Sequence, residues 1–220
     1  MTEQDKILKT SLRFLDFNSV VIDIGAYIGS VSRFLCENSN GNPKNYYLVE
    51  ACKMNFNVLE KKCPKYNLFN SIISDVTGKQ LFYSGSHDGS QGSSQANSLY
   101  KEFIDNKEWN HETIEYELQS YSLDDFIKLL KIDHIGYLKI NCEGGEYKIF
   151  DSTLFFLECS KCVYLQMHGK DPVFLTPEIR AKRRYINDLF VEYGYSLVGG
   201  DDPSTVDKTN AHTQQLWVKK

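Results

Sequence analysis

The sequence predicts an α/β fold built on a doubly wound, mostly parallel sheet. Three observations carry that expectation: short β-branched runs alternate with segments of helical period, the first run ends in a glycine turn, and an acid closes the second. At 220 residues the chain can bury one self-sufficient core, so a single domain over 1–220 is expected, with 1–19 as a helical cover and 20–220 as the α/β core. The composition, 41% hydrophobic, 25% charged and 13% aromatic, is that of a globular chain.

Ile7, Leu8, Leu12 and Leu15 recur at helical spacing and mark an opening amphipathic helix. The run VVIDIG at 20–25 ends in Gly, and Val31, Phe34 and Leu35 follow with a helical period, so a strand enters a helix through a glycine turn. YYLVE at 46–50 repeats the pattern, with a helix from about Cys52 to Lys62 that carries Phe56 and Leu59 on one face and stops before Pro64. LFNSIIS at 68–74 reads as a third strand. Helices between successive strands imply right-handed crossovers, hence a parallel sheet.

From Ser84 to Ser98 the stretch SGSHDGSQGSSQANS has one Ala as its only apolar residue, so none of it is expected to be buried. It reads as a long loop, either a surface insertion or a lid over substrate. TIEYELQSY at 113–121 alternates as a strand does, and SLDDFIKLL at 122–130 is a helix capped by Ser122, with Asp124 and Asp125 as helix-start charges and not catalysts. GYLKINC at 136–142 is a strand, a short helix begins near Gly144, CVYLQMH at 162–168 is a strand, and a helix runs from about Pro177 to Tyr193. YSLVGG and QQLWVKK close the chain as an antiparallel pair across the polar stretch DDPSTVDKTNAHT.

A net charge of −4 supplies no global positive field for a phosphate backbone, so nucleic acid is not an expected partner. The one basic cluster, Arg180, Lys182, Arg183 and Arg184, lies in a helical segment and reads as a solvated face. No window reaches the ~18 apolar residues of a membrane span, and the first residues carry charges throughout, so a cytoplasmic protein with no membrane partner is expected. The six cysteines, Cys36, Cys52, Cys63, Cys142, Cys159 and Cys162, read as reduced thiols; Cys159 and Cys162 form a CxxC without the second pair or His cluster of a zinc site.

Ligands of open parallel sheets bind beyond the carboxyl ends of the strands, where strand order reverses. That rule selects Asp23 to Gly29, Glu50, Asn70 to Asp75, Asn141 to Gly145, and His168. The first turn reads Asp23-Ile24-Gly25-Ala26-Tyr27-Ile28-Gly29. Where a dinucleotide site needs its first glycine, Asp23 stands: it repels a pyrophosphate but can hold the ammonium of a methionine moiety, directly or through water. Gly25 and Gly29 permit close backbone approach, and the helix N-terminus behind them favours a carboxylate. Glu50, about twenty residues on, is placed to accept from both hydroxyls of a ribose; alone it would read as a solvated strand-end acid.

The segments VVIDIGAYIGSVS, YYLVEACKMNF, NSIISDVTG, SLDDF and above all YLKINCEGGEY resemble the FkbM family of methyltransferases from Val20 to about His168. The resemblance implies a Rossmann-like class I methyltransferase fold, a seven-stranded, mostly parallel sheet with an antiparallel final strand, and S-adenosyl-L-methionine as cofactor. The cofactor residues it implies are Asp23, Gly25, Ala26, Tyr27, Gly29, Glu50, Ala51, Ser71, Ile72 and Asn141, with adenine against Ser71 and Ile72. The family's frequent action on sugars and natural-product alcohols implies a hydroxyl acceptor, on a glycan or other small molecule, and hence a base to take its proton. Glu143 and His168 are the candidates, with Glu146 behind. Each has a structural alternative, Glu143 as a brace for turn amides and His168 as a hydrogen-bonded strand-end residue. Lys139, inside a strand, can pair with one of these acids.

Two positions depart from the family pattern. Asn141 stands where the family carries Asp; it can hydrogen-bond but cannot take a proton or bring charge to a metal, so no metal site is expected. Ala51 replaces the Pro that follows the ribose acid. The change at Asn141 keeps a second reading open, a methyltransferase fold that binds without turnover, and the shared ribose acid keeps a third, an NAD-dependent oxidoreductase, against which Asp23 and the missing middle glycine argue. A polar acceptor site with Tyr27, Tyr100, Trp109 and His168 nearby would suit a carbohydrate.

Overall fold

A computed structural model of the chain describes residues 2–85, 97–105, 113–152, 154–169, 176–202, 204 and 212–220. Most of the long polar loop, Trp109 and most of the stretch before the last strand lie outside the described residues. In chain order the elements are α1 (Glu3–Ser11), β1 (Val21–Ile24), α2 (Ser30–Asn38), β2 (Tyr46–Val49), α3 (Lys53–Lys62), β3 (Asn67–Phe69), β4 (Ile72–Ser74), β5 (Gly78–Gly85), β6 (Asn97–Ser98), α4 (Lys101–Asp105), β7 (Thr113–Ser122), α5 (Leu123–Leu129), β8 (Tyr137–Ile140), α6 (Glu146–Ile149), α7 (Phe155–Cys159), β9 (Cys162–Met167), α8 (Pro177–Glu192), β10 (Tyr195–Gly200) and β11 (Thr213–Lys219).

Among the described residues, seven strands form one sheet in the order β10-β11-β9-β8-β1-β2-β3. All neighbours run parallel except β11, which lies antiparallel between β9 and β10. This is the doubly wound, mostly parallel seven-stranded sheet that the sequence predicts, with β11 as the antiparallel final strand. The strand order reverses at β1, which pairs with β2 on one side and β8 on the other, so the crevice beyond Ile24, Val49 and Ile140 is the place for a ligand.

Period-2 alternation divides the strands between two helical layers. Ile22, Leu138, Val163 and Trp217 pack toward α5, α7 and α8 with Phe126, Phe156 and Phe190. Val21, Leu48, Tyr137 and Tyr164 pack toward α1, α2 and α3 with Ile7, Leu35 and Leu59. The opening helix is a cover as expected: a capping box between Thr2 and Asp5 starts it, and Ile7 and Leu8 bury their side chains over the edge formed by β10 and β11. Thr176 caps α8 by accepting from the Ile179 amide, with Pro177 in its first turn.

The single strand expected at 68–74 is two. β3 ends at Phe69, Asn70 turns its side-chain amide to the carbonyls of Glu50 and Ala51 at 2.8 and 3.0 Å, and β4 leaves for a second, four-stranded sheet in the order β4-β7-β5-β6. The strand at 113–121 is part of that small sheet, paired antiparallel with β5 over eight positions. Ser84, Asn97 and Ser98 are buried strand residues, which corrects the expectation that nothing from Ser84 to Ser98 is buried. The basic cluster is corrected too: Arg184 is exposed, but Arg183 is fully buried and donates to the Thr213 hydroxyl at 3.3 Å. Asp124 is buried and caps α7, accepting from the amides of Phe155 and Phe156 at 3.0 and 2.9 Å. All six cysteines are free thiols, and no helix among the described residues is long and apolar enough to cross a membrane.

Candidate active site

A cavity of about 340 Å³ opens beyond the ends of β1, β2 and β8, lined by Gly25, Tyr27, Glu50, Ala51, Ser71, Asn141 and Glu143 with apolar Ile72, Ile73 and Phe82. The turn after β1 is strapped to the end of β2, because the amides of Gly25 and Ala26 both donate to the Val49 carbonyl at 3.0 Å. Gly25 is in the left-handed region at φ 72°, and a Cβ there would lie 1.8 Å from the Asn141 carbonyl oxygen, so only glycine lets the two strand ends meet. Ala26 is buried and contributes that backbone bond; it does not line the cavity.

Glu50 is held from both sides. The Tyr27 amide donates to Oε2 at 2.8 Å and the Cys52 amide to Oε1 at 2.9 Å. Burial pushes its carboxyl up to about 7, against those amides, which pull the other way. The Asn55 side-chain amide donates to Oε1 as well, at a longer 3.4 Å, so of the about four acceptor positions of a carboxylate the one left open is on Oε2, where a ribose hydroxyl can donate.

Besides Ala26, two expected cofactor residues, Asp23 and Gly29, do not line the cavity. Asp23 shares the face of Val21, beneath α2, and does not line the cavity: Lys139 donates to Oδ1 at 2.7 Å and Ser32 to Oδ2 at 2.6 Å. Both carboxylate oxygens are thus already engaged by protein donors. Lys139 pairs with this acid and not with Glu143 or Glu146, and it also donates to the Gly25 carbonyl at 2.9 Å, so it braces the turn from behind. Gly29, at φ 78°, answers to packing: a Cβ would lie 2.4 Å from the Cys63 sulfur and 2.9 Å from Leu59.

The loop from Asn141 to Gly145 forms the other wall. Glu143 at φ 51° and Gly144 at φ 94° place two successive residues in the left-handed region. Ser98, absent from the sequence expectations, donates its hydroxyl to the Glu143 carbonyl at 2.8 Å. The Glu143 side chain is one-third exposed, with Oε1 3.3 Å from His168 Nε2. His168 is buried, its Nδ1 2.9 Å from Glu146 Oε1, and its backbone amide donates to that oxygen at 2.7 Å. Burial alone would lower the imidazole's pKa, but Glu146 first and Glu143 second outweigh it and raise it to about 10. The two carboxylates favour the charged form of the ring, which turns the choice between the two candidate bases toward Glu143. The His212 ring packs edge-on against it at 4.8 Å, a neighbour the sequence did not suggest.

The lining residues fit S-adenosylmethionine. The Oδ1 of Asn141 and the Oγ of Ser71 are buried without a hydrogen-bond partner among the described residues, one available to an ammonium and one to an adenine edge. Ile72, Ile73 and Phe82 give an apolar slot for a flat ring. Among the described residues the lining includes the carboxyl groups of Glu50 and Glu143 and neither Lys nor Arg, a field suited to a sulfonium and an ammonium and hostile to a pyrophosphate.

The Methyltransferase FkbM domain matches residues 23–197. No curated protein matches the chain. Among solved structures the chain is similar to the FkbM methyltransferase of Methylobacillus flagellatus KT, with 14% identity and a TM-score of 0.49 over 93% of this chain and 44% of that one. It is also similar to precorrin-6y C5,15-methyltransferase from Geobacter metallireducens GS-15, with 14% identity and a TM-score of 0.47 over 97% of this chain and 86% of that one. A third is TrmK of M. capricolum in complex with S-adenosyl-homocysteine, 16% identical with a TM-score of 0.41 over 97% and 67% of the two chains. With the family match spanning Asp23 to Leu197 and a donor site suited to a sulfonium, the chain belongs to the FkbM methyltransferase domain family and is a methyltransferase dependent on S-adenosylmethionine.

Proposed function

We propose that the chain is an O-methyltransferase acting on a hydroxyl of a sugar, glycan or related small molecule, with Glu143 as the group that receives the hydroxyl proton. The observation that carries this reading is the Glu143 carboxylate: it lines the cavity, is one-third exposed, and is held from behind by the His168 Nε2 at 3.3 Å. When bound, S-adenosylmethionine supplies a methyl group on a cationic sulfur. The protein's part is to hold, orient and accept a proton. Glu50 would take a ribose hydroxyl, Asn141 the ammonium, and Ser71 with Ile72 the adenine, while Asp23 and Lys139 keep the turn rigid from beneath. Aromatic Tyr27 and amide-bearing Asn97 on the lining suit a carbohydrate face and its hydroxyls. A net charge of −4 argues against a nucleic-acid acceptor. Free cysteines throughout support one cytoplasmic domain over 1–220 in a reducing compartment.

The test is incubation of the purified protein with isotopically methyl-labelled cofactor and a panel of mono- and oligosaccharides, phenols, amines and RNA, with products read by mass spectrometry and NMR. Label on a sugar oxygen, abolished by Glu143→Gln while cofactor binding persists, is the expected result. Label on nitrogen, carbon or RNA alone would defeat the reading.

A further inference from the structure

We propose that Glu146 and His168 act together as a positioning pair, holding the Glu143 carboxylate and its left-handed loop at the mouth of the cavity. The proposal rests on the reading of Glu143 as proton acceptor and adds what makes that position available. Glu146, the first residue of α6, is fully buried and takes donors from both strand-end loops: the Gly144 amide on Oε2 at 2.9 Å, and the amide and Nδ1 of His168 on Oε1 at 2.7 and 2.9 Å. A buried carboxylate is tolerated only when so satisfied. One side chain thus ties the turn after β8 to the end of β9, and the ring it fixes points Nε2 at Glu143 Oε1, 3.3 Å away.

The geometry also sets the charge of the ring. An imidazole whose Nδ1 and Nε2 both donate to carboxylates carries both protons. The other titratable groups facing the pair are Cys142, whose thiol donates to Glu146 Oε2 at 3.8 Å and is kept protonated by burial, Tyr147, whose hydroxyl donates to the His168 carbonyl, the His212 ring, Tyr100, and Arg183 on α8, which feels the charge of Glu146. His168 therefore keeps its proton through the neutral range and works by direction and charge, holding the Glu143 carboxyl toward the acceptor.

The experiment compares wild type with Glu146→Gln by three measurements: imidazole titration by NMR of histidine-labelled protein, calorimetric affinity for S-adenosylhomocysteine, and the pH profile of kcat against KM. In wild type the His168 resonances should stay those of an imidazolium to above pH ~9, and in Glu146→Gln the midpoint should fall by about one unit or more. The variant's kcat should drop about tenfold or more with S-adenosylhomocysteine affinity within about threefold, and its profile should gain an ionisation where the ring now titrates. If Glu146→Gln does not fold, His168→Asn, which leaves Glu146 its amide donors, carries the same kinetic comparison. A wild-type ring titrating near neutrality, or a folded variant with unchanged kcat and unchanged profile, would overturn the proposal. Should wild type methylate no hydroxyl acceptor, the reading of Glu143 fails, while the NMR titration still judges the pair by itself.

Discussion

Replacing Glu50 by Gln should weaken the cofactor and, as pH rises, relieve the fold. The carboxyl is buried and raised from 4.5 to about 7. Between those values the unfolded chain has lost its proton while the folded chain keeps it, so wild-type stability falls as pH rises through this window and levels off above 7. A shift of about 2.5 units at ~1.4 kcal/mol each amounts to roughly 3 kcal/mol of stability lost to this one group at pH 8. Gln has no such titration, although it sets an NH₂ against the Tyr27 or Cys52 amide at a pH-independent cost of about 1–3 kcal/mol. Urea unfolding of both proteins from pH 5 to 8 isolates the charge: the stability of Glu50→Gln relative to wild type should climb by roughly 2–3 kcal/mol across that range. Calorimetry at pH 8 should show S-adenosylmethionine affinity down about ten- to a hundredfold, the worth of charge-assisted bonds to the ribose. A pH-independent stability difference would refute the raised carboxyl, and an unchanged affinity would refute the ribose contact.

Lys139→Met strands the Asp23 carboxylate at 1% exposure and should cost about 3–5 kcal/mol, lowering Tm by roughly 10 °C or more in differential scanning calorimetry. Gly29→Ala drives a Cβ to 2.4 Å from the Cys63 sulfur and should cost about 2–4 kcal/mol in denaturant unfolding; calorimetry on the folded fraction should return wild-type cofactor affinity, since the clash lies in the α3 packing. Asp124→Ala uncaps α7 and should lose about 1–2 kcal/mol by urea titration with methyl transfer intact; a lost activity with unchanged stability would reverse that assignment.

Most of the parallel sheet was legible because β1, β2, β8 and β9 are short apolar runs, each closed by a local signal, whereas β3, Asn-Leu-Phe, carries no β-branched residue and ran on into β4. The small sheet was not, since β4 meets β7 by pairing Ile72 with Ser120 across nearly fifty residues, and no local pattern encodes a partner that distant. That Asp23 lies behind the cavity lining was readable in the sequence: counting by two from Val21 puts it on the face that α2 covers. Arg183 likewise lies on the helical stripe of Ile179, Ile186 and Phe190, so its burial could have been read from spacing instead of from charge. Ser98 gave no signal inside a Gly- and Ser-rich stretch. The charge of His168 depends on two carboxylates delivered by a different loop, and Glu143 and Glu146 announce themselves only as acids until the fold brings β8 beside β9.

The buried charges behind the site form two self-compensating groups, each locking one wall. Lys139 neutralises Asp23 and holds the Gly25 carbonyl; His168 neutralises Glu146, which holds the Gly144 amide. What faces the cavity is then Glu50, Glu143 and the oxygen of Asn141. An Asp at 141 would set a third carboxylate in the same space, and like charge so close raises the pKa of its neighbours. Glu50 is already raised to about 7 by burial, so a further negative charge would leave it mostly protonated at neutral pH. On the proposed reading, Asn141 keeps the acceptor oxygen that an ammonium needs while sparing Glu50 that penalty, and it is compatible with turnover for the same reason it departs from the family pattern.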